Sequence, residues 1–171
     1  CWADARAALG ELDDARGGYR SAVEILQGTD GGARLADARQ RSGLFELRHG
    51  DVDEGGRRLD LAAAWLQDAG RQRELAIARN LEGYALHQRE LAGPALTAFE
   101  RASRAAVEAD DAELISRIRG NRIQMLVLLD RHAEARRLAE QGGDPGDVSR
   151  VALAEAQLGF RQALDAMDAE R

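Results

Sequence analysis

One register runs through the 171-residue chain and limits what it can fold into. Ala95, Phe99 and Ala102 stand at i, i+4 and i+7, a spacing that puts them on one face of a helix. Forty residues earlier stand Gly55, Leu59 and Ala62, and forty before those Ala15, Tyr19 and Ala22. Forty residues later stand Ala135, Ala139 and Gly142. The helix before each stripe repeats as well, at Gly43, Gly83 and Ile123 and at Leu35, Leu75 and Ile115. The turn between the two helices falls at Gly10, Gly50, Glu90 and Asp130. Four copies in register without a gap make the chain an array of helix pairs, because no such pair buries its apolar face alone.

Composition agrees with that reading. Hydrophobic residues are 44% of the chain but aromatics only 4%, so the core is built from Ala, Leu, Ile and Val. Alanine and leucine are the strongest helix formers, and small side chains let helices approach closely. The net charge of −6 argues against a nucleic-acid backbone as partner. No apolar run approaches the roughly 20 residues that span a bilayer. The single cysteine, Cys1, leaves no disulfide within the chain. The chain is expected in the cytoplasm, with a lipoprotein anchored through Cys1 as the alternative, and it reads as a fragment of a larger protein.

Taken in order, the expected repeats cover approximately 1–28, 29–69, 70–109 and 110–143, followed by a terminal helix over 145–169, all within one domain of residues 1–171. Gly28 to Gly32 is a glycine-rich connector without the Lys and Ser/Thr of a P-loop. Asp51 is placed to cap the helix that follows it, and Pro94 to open one, where its missing N–H costs nothing. Asp110 and Asp111 are expected to cap the helix from 112. Asp144-Pro145-Gly146-Asp147 is the strongest turn signal in the chain, with the last helix expected from about Val148.

The pattern resembles the tetratricopeptide repeat (TPR), in the long forty-residue form of kinesin light chains and many bacterial regulatory and signalling proteins. Ala15-Tyr19-Ala22 and Ala95-Phe99-Ala102 match the family's small-aromatic-small signature on the second helix of a repeat. Gly43 and Gly83 match the small residue late in the first. The bulky residue that precedes it in the family is replaced by Ser42 and Glu82. The resemblance implies an all-α, right-handed superhelical solenoid of antiparallel helix pairs, about four units plus a C-terminal helix. It further implies a concave groove lined by first-helix side chains. Carried over residue by residue, these are Asp37, Gln40, Arg41 and Leu44, then Ile77, Asn80, Leu81, Tyr84 and His87, then Arg117, Asn121 and Gln124.

That set suits an extended peptide. Asn and Gln amides donate and accept, so Gln40, Asn80, Asn121 and Gln124 can pair with a peptide backbone. Arg41 and Arg117 can take a carboxylate in bidentate fashion, and Tyr84 offers an amphipathic contact. Within the set, Asn80, Tyr84, Asn121 and Gln124 fit best. No lysine is present, so the two-carboxylate clamp of chaperone-binding TPRs is not expected. His49, His87 and His132 lie at different helical phases, and none is spaced with a second His or with Cys as a metal pair would be. The expected function is therefore a non-enzymatic protein- or peptide-binding scaffold, without cofactor or metal. Its partner is a protein, a peptide or another domain of its own chain, with self-association as a further route. The alternative is a ligand-sensing or autoregulatory segment of a larger bacterial transcriptional regulator or signalling protein.

Overall fold

The computed structural model describes residues 2–29, 31–149, 151–153, 155–157 and 160. The described residues are helical, with short turns between helices and no strand. They form α1 (Trp2–Ala8), α2 (Leu12–Gln27), α3 (Gly32–His49), α4 (Val52–Asp68), α5 (Gln72–Gln88), α6 (Ala92–Glu108), α7 (Ala112–Leu128) and α8 (His132–Gly142). A further helical stretch begins at Pro145. None of these helices is long and apolar enough to cross a membrane. The chain divides into two compact units, Cys1–Asp111 and Ala112–Arg171, where the sequence reads a single array.

In the first unit each helix packs against the next in order, and α3 also packs on α5. The stripe residues found by the forty-residue register lie in this packing. Ala15, Ala62, Ala95 and Ala102 are 0% exposed, with Leu59 at 2% and Phe99 at 1%. Removing Phe99 from water stabilises the fold by about 2–3 kcal/mol. The two most extensive pairings, α3 with α4 and α5 with α6, are both made at glycines. A Cβ on Gly43 would lie 2.9 Å from the Gly55 carbonyl oxygen, so these two helices touch backbone to backbone. A Cβ on Gly83 would lie 2.5 Å from the Phe99 ring, which occupies the space that glycine leaves.

The turns repeat at half the sequence period. Gly10, Gly70, Glu90, Asp110 and Asp130 all have positive φ, between 52° and 79°. Each ends a helix in the same two-bond cap. The N–H of the positive-φ residue donates three residues back, as from Glu90 to the His87 carbonyl (2.9 Å) and from Gly70 to that of Gln67 (3.0 Å). The next N–H donates five back, as from Leu91 to Leu86 (3.1 Å) and from Arg131 to Leu126 (2.8 Å). Asp110 therefore closes α6 instead of capping α7.

Gly50 does not share this cap. Its φ is −140°, because α3 continues to His49 and leaves only Gly50 and Asp51 before α4. The exposed α3 carbonyls are met from outside the turn: Arg89 Nη1 donates to the carbonyls of Leu47 and Gly50, each at 3.2 Å. Asp51 caps α4 as expected, accepting from the N–H groups of Asp53 (2.8 Å) and Glu54 (3.0 Å).

Ser42 and Glu82 are buried, and each meets an arginine. Arg58 Nη1 donates to the Ser42 hydroxyl. Arg79, whose side chain is only 12% exposed, donates to Glu82 (2.8 Å) and to Asp60 (2.7 Å). The volume that a bulky apolar residue would take is thus given to guanidinium groups and their stems.

In the second unit α7 packs on α8. Leu114, Ile118, Ile123, Leu126, Ala135, Ala139 and Val151 are buried, whereas Ile115 is half-buried. The terminal helix starts at 145, the first of the expected bounds, so 144–147 opens that helix and is not a separate turn before Val148. The Asp144 carboxylate accepts from the Gly146 N–H (2.8 Å), and Pro145 takes the first helical position. Aspartate at the cap followed by proline is the combination that favours a helix N-terminus, since the missing proline N–H would have no partner there. The terminal helix expected to 169 passes beyond Phe160 into positions outside the described residues, as does the expectation for Cys1.

Candidate functional site

The first unit carries a cleft of about 540 Å³ between α1, α2, α3 and α5. Asp37, Gln40, Arg41, Leu44 and Leu81 line it, all of them drawn from the groove set read in the sequence. Asp4, Tyr19, Phe45, Arg48 and His49 line it too, with Ala7 and Ala8 at the end of α1. A second cleft, of about 650 Å³, lies between α2, α3 and the ends of α4 and α5. It shares Tyr19, Asp37, Gln40 and Arg41 with the first, so the two meet along α3. Its far wall is apolar, with Ala22, Leu26, Ala33, Ala36 and Leu66.

The helical period explains the common wall. Arg34, Asp37, Arg41, Leu44 and Arg48 stand at i, i+3, i+7, i+10 and i+14 on α3, a straight stripe along one helix face. The stripe is held from both sides. Arg41 Nε donates to Asp37 (2.9 Å) and its Nη1 to Asp4 on α1 (3.2 Å). Tyr19 on α2 is 6% exposed, and its hydroxyl donates to Asp4 (2.6 Å). Burial first, then the Asp4 carboxylate, pushes the Tyr19 phenol well above its ordinary range. The Asp37 carboxylate raises the pKa of Arg41, with a smaller contribution from Asp4, so Arg41 is a fixed cation. Beneath this network the Tyr19 and Phe45 rings lie 5.2 Å apart, and Phe45 lies 5.3 Å from the His49 ring.

The remaining residues of the groove set are distributed differently. Asn80 is 6% exposed, so its amide is not offered to a ligand. Residue 80 falls on the side of α5 that the neighbouring helices cover, which the surface-groove expectation does not allow for. Tyr84 is 38% exposed and meets Phe99 edge-on, with centroids 5.6 Å apart. Ile77 and His87 are half-buried. None of these four residues lines either cleft. In the second unit Arg117, Asn121 and Gln124 do come together, lining a depression of about 490 Å³ with Ser116, Gly120, Asp144 and Asp147. Asp147 is buried there and accepts from Arg119 (3.0 Å).

Sequence reasoning missed Asp4, Tyr19 as a cleft residue, Phe45, Arg48 and His49. Arg48 was within reach, since it extends the stripe of Asp37, Arg41 and Leu44 by one heptad step. Asp4 had no local signal, because its partners lie 15 and 37 residues away. Tyr19 occupies a core position of the register, and only the fold shows that its hydroxyl reaches the cleft. Comparison with family models, with curated proteins and with solved structures returned no match to this chain.

Proposed function

We propose that this chain is a TPR-like helical solenoid acting as a non-enzymatic protein- or peptide-binding scaffold. Its binding surface is the trough along α3. The observation that carries this reading is the joining of two open clefts at Tyr19, Asp37, Gln40 and Arg41. An extended trough with alternating polar and apolar walls suits a chain-like ligand, whose amides and side chains alternate in the same way. Gln40 supplies a donor and an acceptor for a ligand backbone. Leu44, Phe45 and Leu81 supply apolar contact, and Arg41, held by two carboxylates, supplies a charge that loses little freedom on binding. Cytoplasmic residence is part of the proposal.

The test is site-specific photocrosslinking in cells. A crosslinking amino acid replaces Gln40 in one variant and Val107, 61% exposed on α6, in another. The expected result is a discrete partner crosslinked from position 40 and absent from position 107. Equal crosslinking from both positions would place the binding surface elsewhere.

A further inference from the structure

The trough is more selective than an open groove. Three carboxylates line it, and each is already occupied. Asp4 accepts from Tyr19 and Arg41, Asp37 accepts from Arg41 (2.9 Å), and Glu74 accepts from Arg71 (2.9 Å). Against them stand four arginines: Arg34, Arg41, Arg48 and Arg71. Arg41 pairs with Asp4 and Asp37, and Arg71 with Glu74. Arg34 and Arg48 are exposed and have no carboxylate partner among the described residues. In a chain of net charge −6 the trough thus carries one more cation than carboxylate, and its two arginines without an ion pair among the described residues stand one at each end of the stripe.

Their separation follows from helix geometry. Fourteen residues at 1.5 Å each place Arg34 and Arg48 about 21 Å apart along α3. An extended peptide covers that distance in about six residues. Along α3 between the two cations lie Gln40 and Leu44, with Phe45 and Leu81 in the same cleft, whereas the apolar wall of Ala22, Leu26, Ala36 and Leu66 shares the second cleft with Arg34.

We propose that the trough takes an extended acidic peptide segment, with carboxylates about six residues apart and an aliphatic side chain between them. Arg34 and Arg48 read the two charges, and Leu44 and Leu81 receive the aliphatic group. This rests on the peptide-binding reading of the same trough and adds the ligand's charge and spacing to it. The apolar wall and the Gln40 amide favour a peptide over a nucleic-acid strand, which would need stacking surfaces and a broadly basic groove.

Fluorescence anisotropy on the full chain tests the idea with three labelled six-residue peptides. The first has glutamate at both ends and leucine and alanine between. The second replaces both glutamates by glutamine. The third carries the two glutamates side by side. The expected result is tightest binding of the first peptide, weakened about fivefold by Arg34→Gln and again by Arg48→Gln, with the preference fading at high salt. Both arginines are exposed, so each variant is expected to melt at the parent temperature. Equal binding of all three peptides, unchanged in the variants, would overturn the charge-and-spacing inference and leave a peptide groove standing. No binding of any peptide would overturn both readings. Tighter binding of a six-nucleotide single strand than of any peptide would overturn the choice of ligand.

Discussion

Glu90→Gly is expected to stabilise the first unit, although it removes a side chain from a protein. Glu90 has a φ of 62°, the left-handed region. An L-residue there pays roughly 1–2 kcal/mol for the approach of its Cβ to the following carbonyl. Glycine escapes that cost but gives up more chain entropy on folding, about 0.5–1 kcal/mol. The balance favours glycine by about 0.5–1 kcal/mol, or a melting temperature about 1–4 °C higher for a chain of this length. Glu90 is exposed and makes no side-chain bond among the described residues, so the backbone effect is not masked by a lost contact. Glu90→Ala is the control, since it removes the same carboxylate and keeps the strain. The converse change is Gly70→Ala. Gly70 has a φ of 67° and no atom within 4 Å of a built Cβ, so any loss comes from the backbone alone. Circular dichroism at 222 nm during heating, with urea titration beside it, reads all three variants. Glu90→Gly melting no higher than Glu90→Ala, with Gly70→Ala undiminished, would refute the reasoning about these turns.

Further outcomes follow from the packing and the charges. Gly43→Ala is expected to lose about 1–3 kcal/mol in urea titration, because its Cβ would press on the Gly55 carbonyl oxygen and on Leu59 Cγ at 2.8 Å. Gly56→Ala, one residue beyond that contact with nothing within 4 Å, is expected to gain about 0.5–1 kcal/mol. Glu82→Ala leaves the largely buried Arg79 with Asp60 alone and is expected to cost about 2–3 kcal/mol, whereas Arg57→Ala on the exposed surface is expected to leave the urea midpoint unchanged. Tyr19 binds its proton more tightly folded than unfolded, so its contribution is complete below the ordinary phenol pKa near 10 and is lost as pH rises above it. Tyr19→Phe is expected to lower stability at neutral pH by about 1 kcal/mol through the lost bond to Asp4, and to flatten the alkaline decline in urea titrations run from pH 8 to 11.

Helix existence and the buried stripes were readable from periodicity because both are local. A helix needs only apolar residues at the right spacing, and the register located them on α2, α4, α6 and α8. The turns were half readable. Glycine at 10 and 70 signals a left-handed residue, but Glu90, Asp110 and Asp130 adopt the same conformation with no such signal. There the two-bond cap and the packing of flanking helices outweigh a residue's own preference. The start of the last helix was left between 145 and about 148, because Asp-Pro-Gly-Asp favours a turn and a helix cap equally, and the chain that follows decides between them.

The sequence by itself determined that this chain is helical, which stripe of α2, α4 and α6 is covered, and that glycines at 43, 55 and 83 sit where helices meet. Those properties depend on residues one or two turns apart. The tertiary structure alone decided which polar residues reach a shared surface. Gln40, Arg41 and Leu44 met Asp4, Tyr19 and Arg48 because α1, α2 and α3 converge, whereas Asn80, equally polar in the sequence, was buried as α5 packed. A site is made where distant segments come together, and pairings such as Asp4 with Arg41 leave no periodic trace in the chain.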